Sequence, residues 1–119
     1  MTSPADLHNT LQTIDERVSD DMSERDVENV FLETGFYDVL GYEGTGTDIR
    51  SEFTLPDNRR PDYITLDTNE SVAGVYEFKK PSRDLSGHED QLFHYVDELR
   101  ANYGVLTNGV EIRVYTADR

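Results

Sequence analysis

The chain has 119 residues, of which 35% are hydrophobic and 30% charged, and a formal net charge of −14. This length fits one domain with a modest core. The absence of cysteine excludes disulfides and thiolate chemistry, and no window approaches the roughly 18 apolar residues of a membrane span.

The opening stretch, MTSPADLHNTLQTIDERVSDD, has neither the basic nor the apolar region of a signal peptide. A cytoplasmic protein with no membrane partner is expected. His8, His88 and His94 are scattered and do not make a zinc site. Taken alone, the acidity argues against nucleic acid as a partner. However, an acidic surface, scarce lysine and arginine as the main cation also resemble proteins of salt-accumulating halophiles. In molar salt the Debye length falls to roughly 3 Å, so bulk repulsion hardly reaches a ligand. In such a chain the only two lysines, Lys79 and Lys80, are informative.

In chain order, ADLHNTLQTIDERV places Leu7, Leu11, Ile14 and Val18 at helical spacing and predicts a helix over 5–19. SERDVENVFLETGF predicts a second helix, with Ser23 as N-cap, Asp26 three residues on, and Val27, Phe31 and Thr34 as the inner stripe. YDVLGYEGTGTD breaks into a glycine-rich loop. IRSEFTL alternates Ile49, Ser51, Phe53 and Leu55 and predicts a strand. After the loop PDNRRP, DYITLD and SVAGVYEFKK predict two more strands joined by TNE, completing a three-stranded antiparallel unit.

SGHEDQLFHYVDELRANY predicts a helix with a Ser86–Glu89 capping box and a buried stripe of Leu92, Val96, Leu99 and Tyr103. GVLTNGVEIRVY predicts two short strands around Asn108-Gly109, with Gly109 serving turn geometry. The order α-α-β-β-β-α-β-β describes an α/β domain with a mixed sheet flanked by helices. One domain is expected, with 1–22 as an N-terminal helical extension and 23–119 as the core. The chain stops just after its last strand, so it is expected to be the N-terminal part of a longer protein.

The chemistry gathers around the lysines. Residues i and i+2 of a strand share a face, so Glu77 and Lys79 project together. Pairing of DYITLD with VAGVYEFK brings Asp62 beside Glu77. Two carboxylates suit Mg²⁺, a hard cation that prefers oxygen ligands and keeps several waters. Such a metal acidifies water and offsets charge on a phosphate oxygen, while a lysine orients the attacking water. These are the parts phosphodiester hydrolysis needs. The plainer reading is a solvated ion-pair cluster worth under about 1 kcal/mol. Lysine scarcity and the apolar run VAGVY, which delivers Glu77 and Lys79 to a strand's exposed end, favour chemistry.

RPDY, fourteen residues between Asp62 and Glu77, and then EFK resemble the PD-(D/E)xK nuclease motif. The longer stretch RRPDYITL…GVYEFKKPSRDLSGHEDQLFHYVDELRANYGVLTNGVEIRVY resembles the N-terminal nuclease domain of type I restriction enzyme restriction subunits and related restriction proteins. The likeness runs over roughly residues 23–115, and the first helix lies outside it. It implies a restriction-endonuclease-like core and an Mg²⁺-dependent DNA endonuclease, with Mn²⁺ able to substitute. Asp62 and Glu77 would bind the metal and Lys79 would be the catalytic lysine. Gln91 and Tyr95, one helical turn apart, match the family's Q-x-x-x-Y and would line the active site and touch the DNA backbone. A helix acid often completes the metal site. Glu28 is the first candidate, with Glu24 and Glu33 as alternatives. Implied partners are DNA and the motor, methylation or specificity domains or subunits of the same system.

Lys80 points away from the metal but keeps company with Arg59, Arg60 and Arg83, a set that reads as a phosphate-gripping patch or as charge balance. Two other functions stay open: a nuclease-like domain that binds DNA or a partner protein without cutting, and a general acidic interaction module. No G-x-x-x-x-G-K-[ST] is present, so ATP-driven translocation and sequence specificity are expected to lie elsewhere.

Overall fold

Ser23 starts the helix that matters most for the site. Its hydroxyl accepts the N–H of Asp26, and the Asp26 carboxylate accepts the N–H of Ser23, each at 3.1 Å. This reciprocal cap is the one the spacing predicts. The computed structural model describes residues 4–118 apart from 45 and 52. Helices α1 (Pro4–Arg17), α2 (Glu24–Glu33) and the short α3 (Phe36–Val39) precede a sheet of strands β1 (Ile49–Arg50), β2 (Tyr63–Leu66), β3 (Val72–Phe78), β4 (Tyr103–Thr107) and β5 (Ile112–Thr116). A 3₁₀ turn, Leu85–Gly87, and helix α4 (Glu89–Leu99) connect β3 to β4.

The strands lie in the order β1-β2-β3-β4-β5. All neighbours are antiparallel except β3 and β4, which run parallel because α4 carries the chain back across the sheet. Helices cover both faces. On one, Val27, Val30 and Phe31 of α2, Ile14 of α1 and the α3 aromatics pack on Tyr63, Tyr76, Phe78 and Val105. On the other, Leu92, Tyr95 and Val96 of α4 pack on Ile64, Val75 and Leu106. The expected mixed α/β sheet flanked by helices is the architecture found, with α3 and the 3₁₀ turn added to it.

Several expected elements differ. The strand expected over 49–55 ends at Arg50, and Glu52 lies outside the described residues. Ile49 belongs to the core under α1–α3, whereas Leu55 belongs to the core under α4, so they serve opposite faces of the sheet. Leu55 instead closes a turn, donating its N–H to Arg59 O at 2.9 Å. Ser86 and Glu89 form no capping box. Asp84 accepts the N–H of Ser86 at 3.0 Å to start the 3₁₀ turn, and α4 begins after His88 with no side-chain cap. Tyr103 is on β4, because Arg100 adopts the left-handed conformation at φ 53° and ends the helix. Gly109 does serve turn geometry, at φ 86°. A Cβ there would come within 2.9 Å of Val18, so the β4–β5 turn is seated on the chain leaving α1.

Candidate active site

The register of β2 and β3 pairs Tyr63 with Tyr76, which sets Asp62 beside Glu77 at the end of the sheet. The Asp62 N–H donates to Glu77 Oε1 at 3.3 Å, and Asp62 Oδ2 accepts the N–H of Phe78 at 2.7 Å. The Asp62 carboxylate therefore sits where a backbone ladder partner would sit, locked against β3. Glu77 is only 4% exposed and lies beneath it. Burial holds both carboxyls above their ordinary range, and mutual repulsion raises Glu77 further. The direct contact between them favours a proton on Glu77. The pair is thus a buried, electron-rich oxygen site that lacks a full counter-charge.

Helix α2 contributes the next groups. Glu28, whose side chain is 12% exposed, is pushed up to about 7, mainly by burial and then by the nearby Asp62 carboxylate. Glu24, one turn earlier, pairs with Lys79 Nζ at 3.8 Å. Lys79 in turn favours the charged forms of both Asp62 and Glu77. Asp62, Glu77, Lys79, Glu28 and Glu24 are therefore brought together. Glu33 is not: it pairs with Arg17 of α1 at 2.5 Å. A cavity of about 280 Å³ opens onto this end of the sheet, lined by Arg25, Glu28, Ser51, Arg60, Pro61, Asp62 and Tyr63.

Helix α4 supports the site from the other face. Gln91 Nε2 donates to Tyr95 Oη at 2.7 Å, and Tyr95 Oη donates to Arg60 O at 3.3 Å. Tyr95 is 1% exposed, so its position suits support of the active site and leaves no surface for a DNA contact; Gln91 is exposed. His94 Nε2 meets Asp57 Oδ2 at 2.9 Å, tying α4 to the same loop. The segment that delivers Asp62 is thus fastened at two points. Lys80, Arg59, Arg60 and Arg83 are exposed. Arg59 lies 3.8 Å from Asp57, while Arg60, Lys80 and Arg83 have no carboxylate partner among the described residues.

Two residues at the site carried no signal in the motif. Arg25 precedes Glu28 by three residues and shares its helix face, pairing with it at 3.6 Å. That spacing was readable once Glu28 was a candidate. His88, close to Lys79, Arg83 and Glu24, is held below its ordinary pKa chiefly by burial. Nothing local marks it, because the approach is made by the fold.

Among the described residues, no three His, Asp or Glu side chains are arranged as a ready metal cluster. The donor set still fits Mg²⁺, which characteristically takes one or two protein carboxylates and fills its octahedron with water and substrate phosphate.

A five-stranded mixed sheet with helices on both faces defines an α/β domain compatible with a restriction-endonuclease-like core, and the acid-rich site lies at the end of its β2–β3 hairpin. A family model described as the type I restriction enzyme R protein N terminus matches residues 47–119. The match spans more than half of the chain, which belongs to this family. It covers the sheet and α4 and starts after α2, so Glu24, Arg25 and Glu28 lie outside it. Comparison with curated proteins and with solved structures returned no match.

Proposed function

We propose that this chain is an Mg²⁺-dependent DNA endonuclease domain of a restriction-modification system, acting with the motor, methylation or specificity parts of that system. The observation that carries the reading is the convergence of Asp62, Glu77 and Lys79 at one end of the sheet, with Glu28 facing Asp62. Family membership supports the restriction context.

Asp62 and Glu77 would hold the cation, with Glu28, which faces Asp62, close enough to join them through a bound water. Mg²⁺, or Mn²⁺ in its place, supplies an acidified water and charge compensation at a phosphate oxygen. Lys79 orients the attacking water and offsets negative charge as it develops on the phosphate. A compact ammonium suits that role better than a planar guanidinium. Tyr95 and Gln91 hold the Arg60–Asp62 segment in place from behind. Lys80, Arg60 and Arg83, cations without an acidic partner among the described residues in a strongly acidic chain, provide phosphate contacts.

A second reading is favoured by one observation, the burial of Glu77 at 4% exposure beneath Asp62. On it, the domain binds DNA or a partner protein without cutting. Incubation of supercoiled plasmid with the chain, alone and within the restriction enzyme that carries it, separates the two. Nicking that requires Mg²⁺ or Mn²⁺ and disappears in Lys79→Ala supports the nuclease. DNA binding with no nicking under either cation supports the second reading.

A further inference from the structure

The cavity beside Asp62 holds an arginine that neither the motif nor the family match includes. Its seven lining residues contain two of the chain's nine arginines, Arg25 from α2 and Arg60 from the loop before β2. The same lining includes two carboxylates, Glu28 and Asp62, and the Ser51 hydroxyl. Both signs of charge thus line a space of about 280 Å³, which suits a cation and an anion bound side by side. Two arginines elsewhere in the chain are closely held by acids: Arg17 lies 2.5 Å from Glu33, and Arg113 contacts both Glu111 and Glu89. Arg25 is different. Among the described residues its one ion-pair partner is Glu28 at 3.6 Å, and its side chain is 79% exposed while that of Glu28 is 12% exposed. Such a pair holds a guanidinium loosely, leaving most of its five donors free to face a ligand in the cavity.

We propose that Arg25 is a phosphate-binding residue of this site, gripping a phosphodiester of bound DNA beside Asp62. The proposal rests on the nuclease-type reading of the site and extends it to the helix before the family match. The guanidinium fork matches two phosphate oxygens at once. Its partner Glu28 is also the acid placed to meet a divalent cation with Asp62. A cation engaged by Glu28 weakens that carboxylate's hold on Arg25, so cation and phosphate occupy the cavity together rather than in competition. Arg60 approaches the same phosphate from the loop that Tyr95 anchors.

The test compares the wild-type chain, Arg25→Ala and Arg25→Lys by two binding measurements. Fluorescence anisotropy follows a labelled duplex in Ca²⁺ across a KCl series, and a Mn²⁺ titration reads metal affinity. Arg25 is exposed on a helix face, so both variants keep the fold. Loss of one phosphate contact lowers the salt slope of DNA binding by about 0.9. The expected result is that decrease in Arg25→Ala, with DNA affinity down about tenfold at the low-salt end and Mn²⁺ affinity unchanged or tighter; Arg25→Lys recovers the slope, because charge drives it, but recovers the affinity only in part. A wild-type salt slope in Arg25→Ala overturns the proposal and leaves the nuclease reading standing. So does weaker Mn²⁺ binding with the slope intact, since Arg25 would then serve Glu28 alone. A wild-type chain that binds no DNA overturns both together.

Discussion

Asp62 and Glu77 are joined by the backbone before their side chains meet any ligand: the N–H of Asp62 donates to Glu77 Oε1, and the Asp62 carboxylate accepts the N–H of Phe78. The site is consequently as rigid as the β2–β3 hairpin that carries it. Repulsion between the two acids is built into the strand register, and a bound cation would relieve it.

On the proposed nuclease reading, Lys79 acts on the reaction rather than on the fold. Its amine reaches Glu24 at 3.8 Å, a partly exposed pair that contributes little stability. Lys79→Ala is expected to leave thermal stability and Mn²⁺ binding near wild type while cleavage falls at least 10²–10³-fold, about the loss from one preorganised donor. Lys80→Ala, by contrast, should weaken DNA binding modestly and make its salt slope shallower. Plasmid nicking and anisotropy read the two effects separately.

The raised carboxyls predict a pH dependence. A carboxyl whose pKa is higher in the folded state favours folding when protonated, so its contribution is complete below the unfolded value and is lost as pH rises through the folded value. For Glu28 that window runs from 4.5 to about 7. Without divalent cation, stability to denaturant should fall between pH 5 and pH 8. Glu28→Gln should flatten the decline, and Mg²⁺ should oppose it by engaging the ionised carboxylates. A wild-type profile in Glu28→Gln would show that Glu28 is solvated in solution.

Tyr95 links α4 to the loop that delivers Asp62. Tyr95→Phe removes the donor to Arg60 O and the acceptor for Gln91 but keeps the ring. A stability loss of about 1 kcal/mol is expected, with a larger proportional loss of cleavage because the Arg60–Asp62 segment loses its anchor. Gln91→Ala, at an exposed position, should cost less of both. Equal activity in Tyr95→Phe and wild type would remove the supporting role.

The charge makes its own prediction. With a net charge of −14 the folded chain repels itself at low ionic strength, and molar KCl screens that repulsion over roughly 3 Å. Unfolding midpoints should rise steadily from low to molar KCl. A flat or falling series would remove the halophile explanation of the composition and leave the acidity as an objection to DNA binding.

Much of the fold was legible because the relevant signals are local. The Leu7–Leu11–Ile14 spacing, the Ser23–Asp26 cap and the Asn108-Gly109 turn each act within a few residues, and each is present in the structure. The pairing of Asp62 with Glu77 was legible too, since antiparallel strands joined by a short turn allow one register that keeps Ile64 and Val75 buried together. Spacing misled where a tertiary partner changed the outcome. Leu55 looked like the end of the strand begun at Ile49, but it is drawn into the core under α4. Tyr103 matched the α4 period, yet it lies on β4, where its ring occupies the space that a Cβ on Gly74 would need.

The residues of the motif were therefore determined along the chain, whereas their surroundings were not. Glu24, Glu28 and Glu33 are equivalent as letters in one helix. At about 100° of rotation per residue, only the docking of α2 on β3 decides that Glu24 meets Lys79, Glu28 faces Asp62 and Glu33 turns to Arg17 of α1. The same docking carries Arg25 to the cavity and burial raises Glu28, because electrostatic strength depends on distance and desolvation between elements far apart in sequence.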